Sequence, residues 1–140
     1  MFMKKFILFI LSIVSLVGCS QSYTVGRVID GDTFVIMYRG QQTKVRLIGV
    51  DTPEAYDYKD VREEYGGKQA SAYTRSLIEG KQVTLEFDHV MYDKYNRLLA
   101  YVYLPDGRML NALLVENGYA EPVRYEPNVR YADYFESLNN

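Results

Sequence analysis

Hydrophobic and polar positions alternate without interruption between Lys81 and Asp88, with Val83, Leu85 and Phe87 on one side and Gln82, Thr84 and Glu86 on the other. A period of two predicts a strand with one buried face. Thr24 to Asp30 and Thr33 to Tyr38 are rich in β-branched and aromatic residues, and Asp30-Gly31-Asp32 between them is a turn signal, so the two read as a hairpin. A second turn at Arg39-Gly40-Gln41 leads to a third strand, Thr43 to Val50, whose inward Val45 and Leu47 alternate with outward Lys44 and Arg46. Leu98 to Leu104 is a further strand. Ala72, Leu77 and Ile78 mark an approximate helical stripe within Lys68 to Glu79, and Gly80 stands where a helix would stop. Pro105-Asp106-Gly107 turns the chain into a second helix, Leu110 to Asn117, ended by Gly118, and a third helix is expected near Tyr131. Asp51 to Gly67, with one proline, two glycines and many charges, reads as a long loop.

This order predicts an α+β, mainly β fold: a five-stranded antiparallel barrel of the oligonucleotide-binding type (OB-fold) with two to three helices. An α+β sandwich is the alternative.

The N-terminus is patterned differently. Lys4 and Lys5 precede an apolar run from Phe6 to Val17. At about a dozen residues the run is shorter than the roughly 20 needed to cross a bilayer, and the pattern is that of a signal peptide, residues 1–18. Leu16-Val17-Gly18-Cys19 resembles the lipobox of bacterial lipoproteins, which would make Cys19 the lipidated first residue, 19–23 a tether and 24–140 the folded domain. A lone cysteine is otherwise a small buried hydrophobe. The expectation is an exported domain, lipid-anchored to a bacterial membrane through Cys19. With no other cysteine in the chain, no disulfide supports the fold and the core must hold it.

Removal of that leader leaves fourteen basic residues against eighteen acidic ones, a formal net charge of −4. Such a balance gives no general electrostatic grip on nucleic acid. A polyanionic ligand would need a few placed arginines and a bound cation.

Candidate chemistry lies at the ends of the first three strands. Asp30 and Asp32 flank a tight turn and Asp51 and Glu54 follow the third strand, so pairing brings four carboxylates to one rim. Hard oxygens of this kind suit calcium or magnesium. Each segment has a plainer reading too: Asp-Gly-Asp is a common hairpin turn, and Asp51-Thr52-Pro53-Glu54 has the form of a helix start. Arg46 points to the polar face of the strand that supplies Asp51, and Asp93-Lys94-Tyr95-Asn96-Arg97 is a second basic turn. Guanidinium groups bind phosphate through paired hydrogen bonds, although either arginine alone could be a solvated charge.

Val28-Ile29-Asp30-Gly31-Asp32-Thr33, Val45-Arg46-Leu47 with Val50-Asp51-Thr52-Pro53-Glu54, and Asp93-Lys94-Tyr95-Asn96-Arg97 resemble, in order, the three signature segments of the thermonuclease family, the staphylococcal nuclease-like proteins. Ala70-Ser71-Ala72-Tyr73-Thr74, Leu99-Ala100-Tyr101-Val102-Tyr103 and Gly118-Tyr119-Ala120 also match in order, so the similarity runs from about Val25 to Asn128. The resemblance implies a calcium-dependent nuclease that cuts DNA or RNA, preferring single strands, and leaves 3′-phosphate and 5′-hydroxyl ends. Asp32 and Asp51 would bind Ca2+ through side chains and Thr52 through its carbonyl. Glu54 would orient and deprotonate water, and Arg46 and Arg97 would hold the scissile phosphate. Lys94 and Tyr95 would contact a terminal phosphate, and Tyr125 would lie beside the base. So few oxygen ligands make a weak site, which suits places where calcium is abundant. The protein would act as a monomer.

Four departures accompany the resemblance. Gly49 stands for a bulky apolar residue, the loop at Glu63 to Lys68 differs in length, and Val123 replaces one of two tyrosines near the base. The C-terminal helix, ending at Asn140, would cover the barrel incompletely. His89 is expected on the surface, Asp30 in a supporting or turn role, and Glu63 and Glu64 in solvent. Two other readings compete: a non-catalytic single-stranded nucleic-acid-binding OB-fold module, and a structural envelope lipoprotein with no calcium dependence.

Overall fold

The computed structural model describes residues 21–54 and 61–139. Cys19 and the leader lie outside the described residues, and so do the side chains of Glu63 and Glu64. The elements are β1 (Ser22–Asp30), β2 (Thr33–Tyr38), β3 (Gln41–Leu47), β4 (Val50–Asp51), α1 (Val61–Ile78), β5 (Gln82–Glu86), β6 (Leu98–Tyr103), α2 (Leu110–Glu116), β7 (Glu121–Pro122) and α3 (Ala132–Leu138). Among the described residues no helix is long and apolar enough to cross a membrane.

Five strands close a barrel, as the sequence pattern predicts, and they do so in the order β1-β2-β3-β6-β5. One pairing differs from the antiparallel expectation: β3 and β6 are parallel, with Val45 opposite Leu98 and Leu47 opposite Ala100. The chain between them contains α1 and β5, long enough for the crossover that parallel strands require. β1 serves two neighbours. Ser22 to Thr24 pairs with β5, whereas Val25 to Asp30 pairs with β2 through two register shifts, and such bulges bend a strand around a barrel corner.

The third strand ends earlier than predicted. After Leu47 a left-handed Gly49 (φ 78°) breaks it, and Val50–Asp51 forms a separate two-stranded sheet with β7. α1 begins earlier than Lys68, so the predicted loop to Gly67 is helical from Val61. Gly66 and Gly67 obscured that start, since each glycine costs about 1 kcal/mol in a helix. Gly66 packs closely on Pro53, which a Cβ there would meet at 3.2 Å.

The core fills the barrel with Phe34, Ile36, Val45, Leu47 and Leu98, and extends through Ile78, Leu110 and Leu114 to the helices. α3 is short, yet Ala132 and Phe135 are buried, and a Cβ on Gly49 would lie 2.8 Å from the Phe135 ring. The glycine at 49 thus fits both the positive φ and the close approach of α3. α2 carries one polar residue in an apolar run, Asn111, which is fully buried. Its amide donates to the carbonyl of Ile48 (2.9 Å) and its oxygen accepts from the N–H of Val102 (3.0 Å). It ties the barrel wall to the turn that precedes β4.

A polar cluster joins the C-terminal segment to β5. Glu86 accepts from Tyr103 (2.6 Å), Arg130 (2.7 Å) and Tyr131 (2.9 Å), and Asp88, whose side chain is 1% exposed, accepts from Tyr101 (2.7 Å). Tyr101 lies in the core, and His89 is on the surface, as expected.

Candidate active site

The β1–β2 turn is clamped from three sides. A Cβ on Gly31 would stand 2.8 Å from both Ala70 of α1 and the Thr52 methyl, and Thr74 donates to the Gly31 carbonyl at 2.7 Å. α1 and the segment after β4 therefore press on the residue between Asp30 and Asp32, where only glycine fits. Beyond it Asp32 is nearly buried, and its backbone carbonyl accepts from the N–H of Leu47 (2.9 Å). This pairing sets Thr33 opposite Arg46.

Asp32 and Arg46 meet there. One Asp32 carboxylate oxygen accepts from the Thr33 hydroxyl (2.9 Å), and the other accepts from the Thr52 N–H (3.0 Å) and faces Arg46 Nη2 at 3.3 Å. The same Nη2 donates to Asp51 Oδ1 at 3.0 Å, while Nη1 donates to the carbonyls of Leu47 and Val50, both at 2.8 Å. The turn that breaks β3 thus wraps around the guanidinium and fixes it between two carboxylates. Glu54 belongs to the same electrostatic neighbourhood. Burial, and then the charges of Asp30, Asp32 and Asp51, raise its carboxyl above the ordinary range, against the opposing pull of Arg46.

The second arginine is held by a different device. In the turn between β5 and β6, Asp93 Oδ1 accepts from the N–H groups of Tyr95 and Arg97, both at 2.9 Å, and Oδ2 accepts from Arg97 Nε at 2.6 Å. Asn96 takes the left-handed conformation (φ 63°) that a tight turn needs and that asparagine tolerates. Burial alone would raise the Asp93 carboxyl, but the hydrogen bonds from Arg97 and Tyr95 outweigh it and hold Asp93 below its usual range. It stays a charged anchor, and among the described residues Arg97 keeps both terminal nitrogens for another partner. The cations of Lys94 and Arg97 lie 5.1 and 5.4 Å from the Tyr95 ring centre.

Arg46, Asp51, Lys94, Tyr95, Arg97 and Tyr125 line one cleft of about 520 Å³. Asp32, Thr52 and Glu54 do not line it: Asp32 meets it through Arg46, Thr52 through its hydrogen bond to Asp32, and Glu54 through the charge of Arg46. Tyr125 is 74% exposed on a turn pinned by Asn128, whose amide exchanges two 2.8 Å hydrogen bonds with the backbone of Val90. Val123 lines the same cleft. Sequence reasoning missed the holding roles of Asp93, Asn111 and Asn128. Asn111 alone left a usable signal, a single polar position in an apolar helix.

The donor chemistry fits a hard divalent cation. Asp32 Oδ2 and Asp51 Oδ1 both face Arg46 Nη2, at 3.3 and 3.0 Å, so a cation held between the two carboxylates would take the place of that nitrogen, and the Thr52 N–H already donates to Asp32. Among the described residues no group of three or more His, Cys, Asp or Glu side chains is arranged around a metal position. A cation here would rest on two carboxylates and a carbonyl, with water completing its shell.

Residues 44–140 match the model of a family described as staphylococcal nuclease homologue. A thermonuclease of Staphylococcus intermedius is 47% identical over 111 residues, 79% of this chain and 65% of that protein. A thermonuclease of Staphylococcus hyicus is 41% identical over 116 residues, 83% of this chain and 68% of that protein. Endonuclease YncB of Bacillus subtilis (strain 168) is 41% identical over 114 residues, 80% of this chain and 53% of that protein. The chain thus spans between about half and two thirds of the length of these relatives.

Proposed function

The chain belongs to the staphylococcal nuclease family, and from that premise we propose that it is a nuclease which hydrolyses phosphodiester bonds of single-stranded DNA and RNA in the cleft between Arg46 and Arg97. The observation that carries the reading is the convergence of two differently anchored guanidinium groups on one cleft with Lys94, Tyr95 and Tyr125. Guanidinium recognises phosphate oxygens in pairs, and among the described residues Arg97 has both terminal nitrogens available for them. As water adds to phosphorus, charge grows on the equatorial oxygens; Arg97, anchored at Nε, stabilises it in place, while Arg46 turns Nη2 from Asp32 and Asp51 toward the phosphate. Glu54 takes the proton of the attacking water. The new bond forms between that oxygen and phosphorus, the bond from phosphorus to the 5′ oxygen breaks, and solvent protonates the leaving oxygen. The products are a 3′-phosphate and a 5′-hydroxyl. Tyr125 lies beside the base, while Lys94 and Tyr95 meet a terminal phosphate of the nucleotide.

Asp32, Asp51 and Thr52 would hold Ca2+, which when bound supplies Lewis acidity and a template for the phosphate. Export and lipidation at Cys19 belong to the same proposal, since a weak calcium site suits a compartment where free calcium is high. The enzyme acts as a monomer, anchored to a bacterial membrane with its domain outside the cytoplasm.

The test incubates the domain with heat-denatured DNA and calcium, with and without a chelator, followed by end-group analysis. Cleavage that stops on chelation and leaves 3′-phosphates supports the proposal. Cleavage that survives chelation sinks the metal assignment, binding without cleavage favours a non-catalytic strand-binding module, and neither binding nor cleavage favours a structural role.

A further inference from the structure

A second groove of about 490 Å³ adjoins the cleft and shares Tyr95 and Arg97 with it. It opens because β6 pairs with β3 only from Val45 onward, which leaves the first half of β3 with no strand on that side among the described residues. The gap between that half-strand and the Tyr92 to Arg97 turn is the groove. Its walls carry Arg39, Lys44 and Arg97 and, among the described residues, no carboxylate. In a chain with eighteen acidic residues and sixteen basic ones, that concentration of one sign is local and marked.

The cations are placed as well as clustered. Gln42, Lys44 and Arg46 occupy alternate positions of β3, so their side chains share its outer face, and Lys44 stands beside Arg46 at a spacing of about 7 Å. Arg39 extends the row at the β2–β3 turn, where its guanidinium lies 5.3 Å from the Tyr38 ring centre. Neither Arg39 nor Lys44 pairs with a carboxylate among the described residues. Tyr92, 42% exposed, lines the opposite wall beside Tyr95, whose ring already carries Lys94 and Arg97. A row of cations facing exposed aromatic rings is how proteins track a single strand without reading its sequence.

We infer that this groove is a second subsite for single-stranded polynucleotide, in which Arg39 and Lys44 hold backbone phosphates and Tyr92 stacks a base beyond the nucleotides in the cleft. The inference rests on the nuclease reading for the identity of its ligand. It gives the enzyme a preference for longer strands that the cleft alone would not confer.

The experiment compares wild type with the Arg39→Gln/Lys44→Gln double variant and with Tyr92→Ala, using a thymidine dinucleotide and a thymidine twelve-mer. Cleavage is followed with calcium, and binding of the labelled twelve-mer is followed by fluorescence anisotropy in chelator. For the double variant, KM and Kd for the twelve-mer should rise about tenfold while dinucleotide cleavage is unchanged, and the salt slope of binding should fall by about 0.7 for each phosphate no longer held. Tyr92→Ala should weaken twelve-mer binding with no change in salt slope. Unchanged twelve-mer binding in the double variant would overturn the inference, and so would an equal loss on the dinucleotide. If wild type binds the twelve-mer but cuts neither substrate, while the double variant loses that binding, the nuclease reading fails and the groove stands.

Discussion

Arg46 and Arg97 have the same chemistry but different freedom. Arg46 uses both terminal nitrogens within the protein, on two carbonyls and two carboxylates. Arg97 is gripped at Nε. Both were legible as candidates, because an arginine on the polar side of a strand and a basic turn are visible in the alternation and turn residues. What anchors them was not. Asp93 reads as one more turn residue, and only the fold shows that its two oxygens collect three donors from the turn. Replacing it should loosen Arg97 without removing it. Asp93→Ala is expected to lower kcat about 10- to 100-fold, the scale at which a misplacement near 1 Å acts, with far-UV circular dichroism unchanged. Asp93→Asn keeps an oxygen for the two N–H groups and should recover part of that rate, whereas equal loss in both variants would point to the charge alone.

At the scale of elements, long periodic segments were readable and short ones were not. β2, β6 and α2 fall where alternation and turn signals put them. β4 and β7 have two residues each, too few for any period to register, and they exist because the Ile48-Gly49 turn redirects the chain toward Val123, whose N–H donates to the Gly49 carbonyl at 2.9 Å. The parallel pairing of β3 with β6 likewise leaves no local trace. Asn111 connects these pieces, since it holds Ile48 and Val102 together from α2. Asn111→Ala would leave a buried N–H and a buried C=O without partners, each costing about 1–3 kcal/mol. Urea denaturation should therefore show a loss of about 3 kcal/mol, and a loss below about 1 kcal/mol would mean that the turn is held by other contacts.

For the molecule as a whole, the barrel supplies the rigid frame and a polar cluster fastens the C-terminal segment to it. Burial alone would raise the carboxyls of Glu86 and Asp88, but hydrogen bonds from Tyr103, Arg130 and Tyr131 to the first, and from Tyr101 and the Arg130 and His89 backbone to the second, hold both below the ordinary carboxylate range. A carboxyl depressed in the folded state contributes stability that is complete above its unfolded pKa, about 4, and is lost as pH falls through the folded value. Stability should thus decline below about pH 4. Glu86→Gln should be less stable than wild type at pH 6 and approach it at pH 3, as read from urea midpoints; a constant gap across that range would exclude the linkage.

The proposed cleavage depends on the two arginines of the cleft. The direct measurement is kcat on saturating single-stranded DNA with calcium for wild type, Arg46→Ala and Arg97→Ala. Loss of a donor to the transition state predicts a fall of about 10²- to 10³-fold in each variant. A kcat within about tenfold of wild type in either variant would contradict it.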